Sequence, residues 1–217
     1  ESIDGFREKL MGPDDASIEA AELGNPVLIA HAEIYAIYDQ YLTDQKLIDY
    51  ARMIQFAVKA FKADAEGSQQ YIRQFEHILI DEFQDINFAQ KTMIDELLKG
   101  GANLWAVGDD DQAIYGWRGS SVKYMLNFSD YYPDPGVVTL KQNYRSAPEL
   151  VAASNSLATH FVQRHPKELV SASGKTGKIY INKFSDENSE AAQISNSLKK
   201  LKEAGVPYKE IAILART

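Results

Sequence analysis

The chain has 217 residues, 45% hydrophobic and 25% charged, with a net charge of −8. That is enough apolar material for one large domain or two small ones, and the acidic balance argues against a bulk electrostatic grip on DNA while leaving room for a local basic or aromatic strip. The absence of cysteine excludes disulfides, thiolate zinc sites and Cys catalysis, and it fits a reducing, cytoplasmic setting.

No segment approaches the run of about 18 apolar residues that a membrane helix needs, so a membrane is not an expected partner. The N-terminus, ESIDGFREKL, has no initiator Met and no signal-peptide pattern. The C-terminus, EIAILART, stops just after a strand-like run, so the chain is expected to be an internal piece of a longer protein.

Residues 1–26 are polar and punctuated by Gly12-Pro13 and Gly24-Asn25-Pro26, which predicts loop with short helices. From Val27 to Phe61 helical spacing dominates, through Ile34, Ile37, Tyr38, Tyr41 and Leu42, then Leu47, Ile48, Ala51, Ile54 and Val58. The break is expected near Thr43-Asp44, where either residue could cap the second helix. The stripe Tyr35, Tyr38, Tyr41 reads as helix packing.

After Gly67 short apolar runs at 77–80, 103–107, 137–140, 179–181 and 211–214 alternate with helical candidates at 87–99, 121–130, 147–160 and 187–204. Apolar strands separated by helices predict an α/β fold with a parallel sheet covered on both faces. In such sheets ligands sit outside the carboxyl ends of the strands, where Asp81, Glu82 and Asp109 fall.

Three segments carry chemistry. HILIDEFQD (77–85) runs from an apolar strand into Asp81, Glu82 and Asp85. Such a carboxylate pair suits Mg²⁺ shared with substrate phosphates, with a neighbouring Glu orienting or deprotonating a water. The plainer reading is that Asp81 or Asp85 caps the helix that starts near Ile86-Asn87. VGDDDQAIYGWRG (107–119) ends a strand at Val107, turns at Gly108, and follows three acids with Gln112, whose amide can bond a phosphate oxygen or a water. Tyr115, Trp117 and Arg118 on the same Gly-containing loop suit base stacking on single strands, against the plainer reading of Trp117 as a core residue. LKQNYRS (140–146) places Tyr144 and Arg145 at the end of a further strand. The Arg145 guanidinium can stabilise charge on a transferring phosphoryl group, or be a plain surface residue.

Together, in this order, DEFQD, VGDDDQAIYGWRG and LKQNYRS resemble motifs II, III and IV of the UvrD/Rep helicases of superfamily 1A. The resemblance is strongest over residues 75–150 and looser over 44–75 and 178–217. It implies a RecA-like, P-loop NTPase-type parallel sheet flanked by helices. That sheet would be incomplete, with 1–43 ending an inserted helical subdomain, 44–142 part of a first motor domain and 143–217 the start of a second.

It also implies an ATP-driven, Mg²⁺-dependent motor moving 3′ to 5′ on single-stranded DNA and unwinding ss/ds junctions, with repair or replication proteins as candidate partners. Carried over by motif, Asp81 would hold Mg²⁺ together with Glu82, which would be the catalytic base. Gln112 would sense the γ-phosphate, Tyr144 would stack on adenine, and Arg145 would act as an arginine finger. Tyr115, Trp117 and Arg118 would touch DNA.

One departure stands out. The GxxxxGK[ST] phosphate loop is missing: the only GKT is Gly174-Lys175-Thr176, with Leu169 where the first Gly should stand, so SGKTGK reads as a turn. The motifs expected further along, with a second arginine and further DNA contacts, are missing too. The 217 residues alone are therefore expected to have no DNA-stimulated ATPase. Residues 76–111 carry nine acids against Lys91 and Lys99, so DNA contact should come from 115–118. Two other readings remain: a non-catalytic helicase-like interaction module, and the motor part of an AddAB- or RecB-type helicase–nuclease.

Overall fold

Local capping rules account for several of the helix boundaries. In the computed structural model, which describes residues 3–63 and 66–215, the N-terminal stretch forms α1 (Ile3–Glu8) and α2 (Pro13–Leu23). Pro13 opens α2, the Asp15 carboxylate accepts from Gly12 N at 3.0 Å, and Gly24 closes it in the left-handed region. Asn25 then caps α3 (Pro26–Asp44), accepting from Val27 N and Leu28 N.

The break falls at Asp44, as expected, but the cap of α4 (Tyr50–Lys62) lies later. Asp49, not Thr43 or Asp44, is the cap, accepting from Arg52 N at 2.8 Å. The tyrosine stripe also divides. Tyr35 is buried and stacks on Phe6, but Tyr41 is exposed, because the buried face of α3 runs through Ala32, Tyr35 and Leu42. Around it sits a dense ion cluster. Arg7 donates to Asp39 at 3.2 Å and to Asp49, and Arg52 pairs with Asp39 at 3.4 Å and donates to Thr43 Oγ1 at 2.6 Å.

After α5 (Glu66–Ile72) the expected alternation begins. β1 (His77–Ile80) pairs in parallel with β2 (Asn103–Ala106), His77 against Asn103 through Ile80 against Ala106. Between them α6 (Phe88–Leu98) packs Ile94 against Phe83 and Ile86, joined by Ile80, Leu104 and Ala106 from the strands. The helix expected at 121–130 is two one-turn pieces, α7 (Lys123–Leu126) and α8 (Phe128–Tyr131), broken at Asn127. Tyr124, Met125 and Phe128 complete that core. Lys91 of α6 is capped by aromatic rings, 4.4 Å from the Tyr131 centroid, and pairs with Asp95.

The runs at 77–80 and 103–107 pair in parallel as expected, but the expectation that all five apolar runs join a parallel sheet covered on both faces is corrected. Among the described residues there are two two-stranded parallel sheets and ten α-helices. On the first sheet Leu79, Trp105 and Val107 are exposed, because the residues that pack against α6, α7 and α8 are those of the other face. Residues 137–140, 179–181 and 211–214 form no ladder. Val137, Val138, Leu140, Ile181 and Leu214 are among the most exposed apolar residues of the chain. An apolar run becomes a strand only where a neighbour meets its N–H and C=O groups.

The second pairing is instead β3 (Gln142–Asn143) with β4 (Val170–Ser171). It flanks α9 (Pro148–Ala158) and precedes α10 (Glu187–Glu203). The chain divides into two compact units, Glu1–Lys141 with Ser154–Leu169, and Gln142–Ala153 with Val170–Thr217. Among the described residues no helix is long and apolar enough to cross a membrane.

Candidate functional site

β1 delivers its carboxylates in a fixed frame. The ladder runs on past the strand, Val107 N donating to Ile80 O and Phe83 N to Val107 O, both at 2.9 Å. Asp81 and Glu82 stand exposed at the tip, Asp81 Oδ1 accepting from Glu82 N at 2.9 Å. Glu82 is a non-glycine residue at φ 51°, ψ 43°, a left-handed conformation that costs about 1–2 kcal/mol and is held by its surroundings. Neither Asp81 nor Asp85 caps α6. Asn87 does, in a reciprocal box with Gln90 at 2.9 and 3.0 Å, so the simpler explanation for the acids does not hold.

Gln84, 1% exposed, joins the strand tip to the next turn. Its Nε2 donates to Glu82 Oε2 at 2.7 Å and to Asp85 Oδ2 at 3.3 Å, and its Oε1 accepts from Asp109 N at 3.0 Å. Gly108 is needed for that approach, because a Cβ there would lie 2.5 Å from Gln84 Oε1. Asp109 in turn accepts from Gln112 Nε2 at 2.7 Å and from Asp111 N at 3.2 Å. Glu82 and Gln112 are thereby linked through two residues to which the sequence had assigned no link, and Asp81 adjoins the path only through the Glu82 N–H.

Asp109, Asp110 and Asp111 bring carboxylate oxygens within 4.8 Å of one another, close enough for a metal ion. Two cations already sit against them. Lys167 Nζ lies 2.8 Å from Asp109 and 3.3 Å from Asp111 and bonds Asp110, while Arg164 forks onto Asp111 at 2.8 and 2.9 Å. Burial would raise the Asp109 carboxyl, but bonds from Lys167 and Gln112 hold it below the usual aspartate range. Asp85 is the opposite case. Burial and then the neighbouring Glu82 charge push it up against the Gln84 bond, and its Oδ1 is buried without a hydrogen-bond partner. The strand tip carries negative charge in excess.

The loop beyond supplies the aromatic groups. Trp117 is 80% exposed, which removes the core reading, and Tyr115 is exposed too. The Arg118 guanidinium lies 5.5 Å from the Trp117 ring and 5.9 Å from the Tyr115 ring, on a one-turn 3-10 helix (Gly116–Arg118) closed by Gly119 at φ 77°. A Cβ at Gly119 would meet the Glu8 carboxylate of α1.

Tyr144 and Arg145 belong to the second unit. Both are exposed; Asn143 Oδ1 accepts from Arg145 N at 2.9 Å and Ser146 N at 2.8 Å, and Tyr144 OH donates to Gln142. In the same unit the SGKTGK stretch bends around the start of α9, with Lys175 Nζ on Arg145 O at 3.0 Å and Gly177 N on Glu149 at 2.9 Å.

Sequence reasoning missed Gln84, Arg164 and Lys167. An amide between acids beyond an apolar strand was a visible signal for Gln84. Nothing local marked the two cations, whose partners lie more than 50 residues away.

Comparison with known proteins identifies the family. The family model described as the UvrD/REP helicase N-terminal domain matches residues 2–133, and the UvrD-like helicase C-terminal domain matches 138–217. Similar relatives include ATP-dependent DNA helicase PcrA of Staphylococcus epidermidis, 33% identical over 216 residues and covering 100% of this chain. PcrA of Leuconostoc citreum is 36% identical over 187 residues, 86% of this chain. The chain spans 29% and 25% of the length of these two relatives. By these matches the chain belongs to the UvrD/Rep helicase family.

Proposed function

We propose that this chain carries the catalytic strand and the sensing turn of a motor that couples ATP hydrolysis to 3′-to-5′ movement on single-stranded DNA and to unwinding at ss/ds junctions. The observation that carries this reading is the hydrogen-bonded path Glu82–Gln84–Asp109–Gln112, which links the strand-tip acids to the amide that precedes the exposed aromatic loop. The β1–β2 parallel pair, with carboxylates at its C-terminal end, supports a RecA-like sheet.

In this reading 1–43 ends an inserted helical subdomain, 44–142 is part of the first motor domain and 143–217 begins the second. Asp81, with Glu82, would hold Mg²⁺. Two exposed hard-oxygen donors on consecutive residues fit that ion, and the unpartnered Asp85 oxygen registers the negative charge that it would relieve. Held there, Mg²⁺ would supply positive charge against the substrate phosphates.

Glu82 orients the attacking water and takes its proton. The Gln112 amide leaves Asp109 for the γ-phosphate, and its movement passes to the loop that follows. Trp117 stacks on a base, with Tyr115 and Arg118 beside it. Tyr144 stacks on adenine, and Arg145 offers its guanidinium to the γ-phosphate.

In the full-length protein Glu82→Gln is expected to remove DNA-stimulated ATP turnover with the fold intact. Turnover retained near wild type would overturn the assignment. The 217 residues alone contain no GxxxxGK[ST] and are expected to be inactive in the same assay.

A further inference from the structure

The basic segment after α9 has no place in the chemistry so far, yet it makes four ion pairs with the Asp109–Asp111 turn. Asp110 is the reason it must be there: its side chain is 2% exposed, and a buried carboxylate without a partner is costly. Lys167 and His165 N both donate to it.

Arg164 fixes the shape of the donor segment, since the guanidinium that forks onto Asp111 also donates to Lys167 O at 3.0 Å. The far end of the segment is fastened separately. Asn155 Nδ2 donates to Leu169 O at 2.8 Å, and Leu169 N donates to Asn155 Oδ1 at 3.1 Å. The segment lies in the stretch matched by the C-terminal family description, while the turn it grips lies in the N-terminal one.

We propose that Arg164 and Lys167 are positioning residues that set where the Gln112 amide and the Glu82 carboxylate stand. Asp109 is the shared element. Lys167 and Gln112 both donate to its carboxylate, and its own N–H holds Gln84, which holds Glu82. With the ammonium present, Asp109 stays satisfied when Gln112 swings away. Without it, the amide becomes a main remaining donor to an otherwise uncompensated charge, and its release costs more. Loss of Lys167 therefore acts on a step after substrate binding. Arg164 acts through the placement of Lys167.

The activity arm of the test rests on the motor reading above. In the full-length protein Lys167→Met is expected to lower the kcat of DNA-stimulated ATP turnover about tenfold while KM for ATP stays within about twofold. Arg164→Leu follows the same pattern more weakly, and Lys167→Arg recovers most of the lost kcat. Hydrogen–deuterium exchange of the 107–112 amides should quicken in the Met variant, with β1 and α6 unchanged.

Unchanged kcat in an active protein overturns the proposal, as does a rise in KM with kcat kept, or a loss that tracks general unfolding and is not recovered by Lys167→Arg. Should the wild type hydrolyse no ATP, the motor reading fails by itself. The exchange comparison then decides the positioning: quickened exchange confined to 107–112 upholds it, and unchanged exchange overturns it.

Discussion

The ion cluster around Arg7 and the acidic turn around Lys167 use the same chemistry to different ends. In the helical cluster two arginines meet two aspartates, and the carboxylates also serve the helices: Asp49 caps α4, and Asp39 lies between Arg7 and Arg52. In the turn two cations face three aspartates, and the edge of the group is a neutral amide. The balanced cluster is closed on itself. The unbalanced one keeps a neutral donor, Gln112, at its edge, which suits the switching role proposed for that amide.

The strongest way to break this comparison is at Arg7, whose side chain is 0% exposed. Arg7→Leu leaves Asp39 and Asp49 short of a partner and should cost about 3–5 kcal/mol in urea unfolding, because removing one member of a buried pair strands the other. A cost near that of a surface substitution would mean that the helical cluster is not the closed structural device described here.

Acid titration gives a smaller, signed test. Burial opposes ionisation of Asp49, but bonds from Arg52 N and Arg7 hold its carboxyl below the ordinary value of 3.8, and Asp109 is likewise held down. In that window the unfolded chain binds more protons, so both contributions are complete above 3.8 and are lost as pH falls through the lower folded values. The stability profile should therefore drop on its acid side, and Asp49→Asn should make that drop shallower. Glu8 has the reverse sign, raised above 4.5 by burial and by Asp4, so its contribution is present at low pH and lost as pH rises.

The smallest expected effect on folding is at the exposed ring. Trp117→Ala should alter stability by no more than about 0.5 kcal/mol. It should nevertheless weaken single-stranded DNA binding by about 1–3 kcal/mol per lost stack, read by fluorescence anisotropy in the full-length protein. A large stability loss with unchanged binding would place Trp117 with the structural residues.

What could be read in advance was local. His77–Ile80, the acids after it, Asn103–Ala106 and the helices around Phe88–Leu98, Pro148–Ala158 and Glu187–Glu203 follow from apolar runs and periodicity. Strand pairing is not local. The apolar runs at 137–140, 179–181 and 211–214 have strand composition but no ladder, whereas Gln142–Asn143 and Val170–Ser171 pair with almost no compositional signal. The cap of α6 was misjudged for a related reason: Asn87 and the aspartates are similar capping residues, and only the geometry separates them. The clip at Arg164 and Lys167 joins segments whose closeness no short window contains.

The backbone at Glu82 has one further consequence. Side chains that tolerate a left-handed residue, asparagine or glycine, would relax the main chain there and make the polypeptide more robust, while deleting the carboxylate to which we assign the proton transfer. On the proposed role of Glu82, durability and turnover would therefore pull in opposite directions at this position.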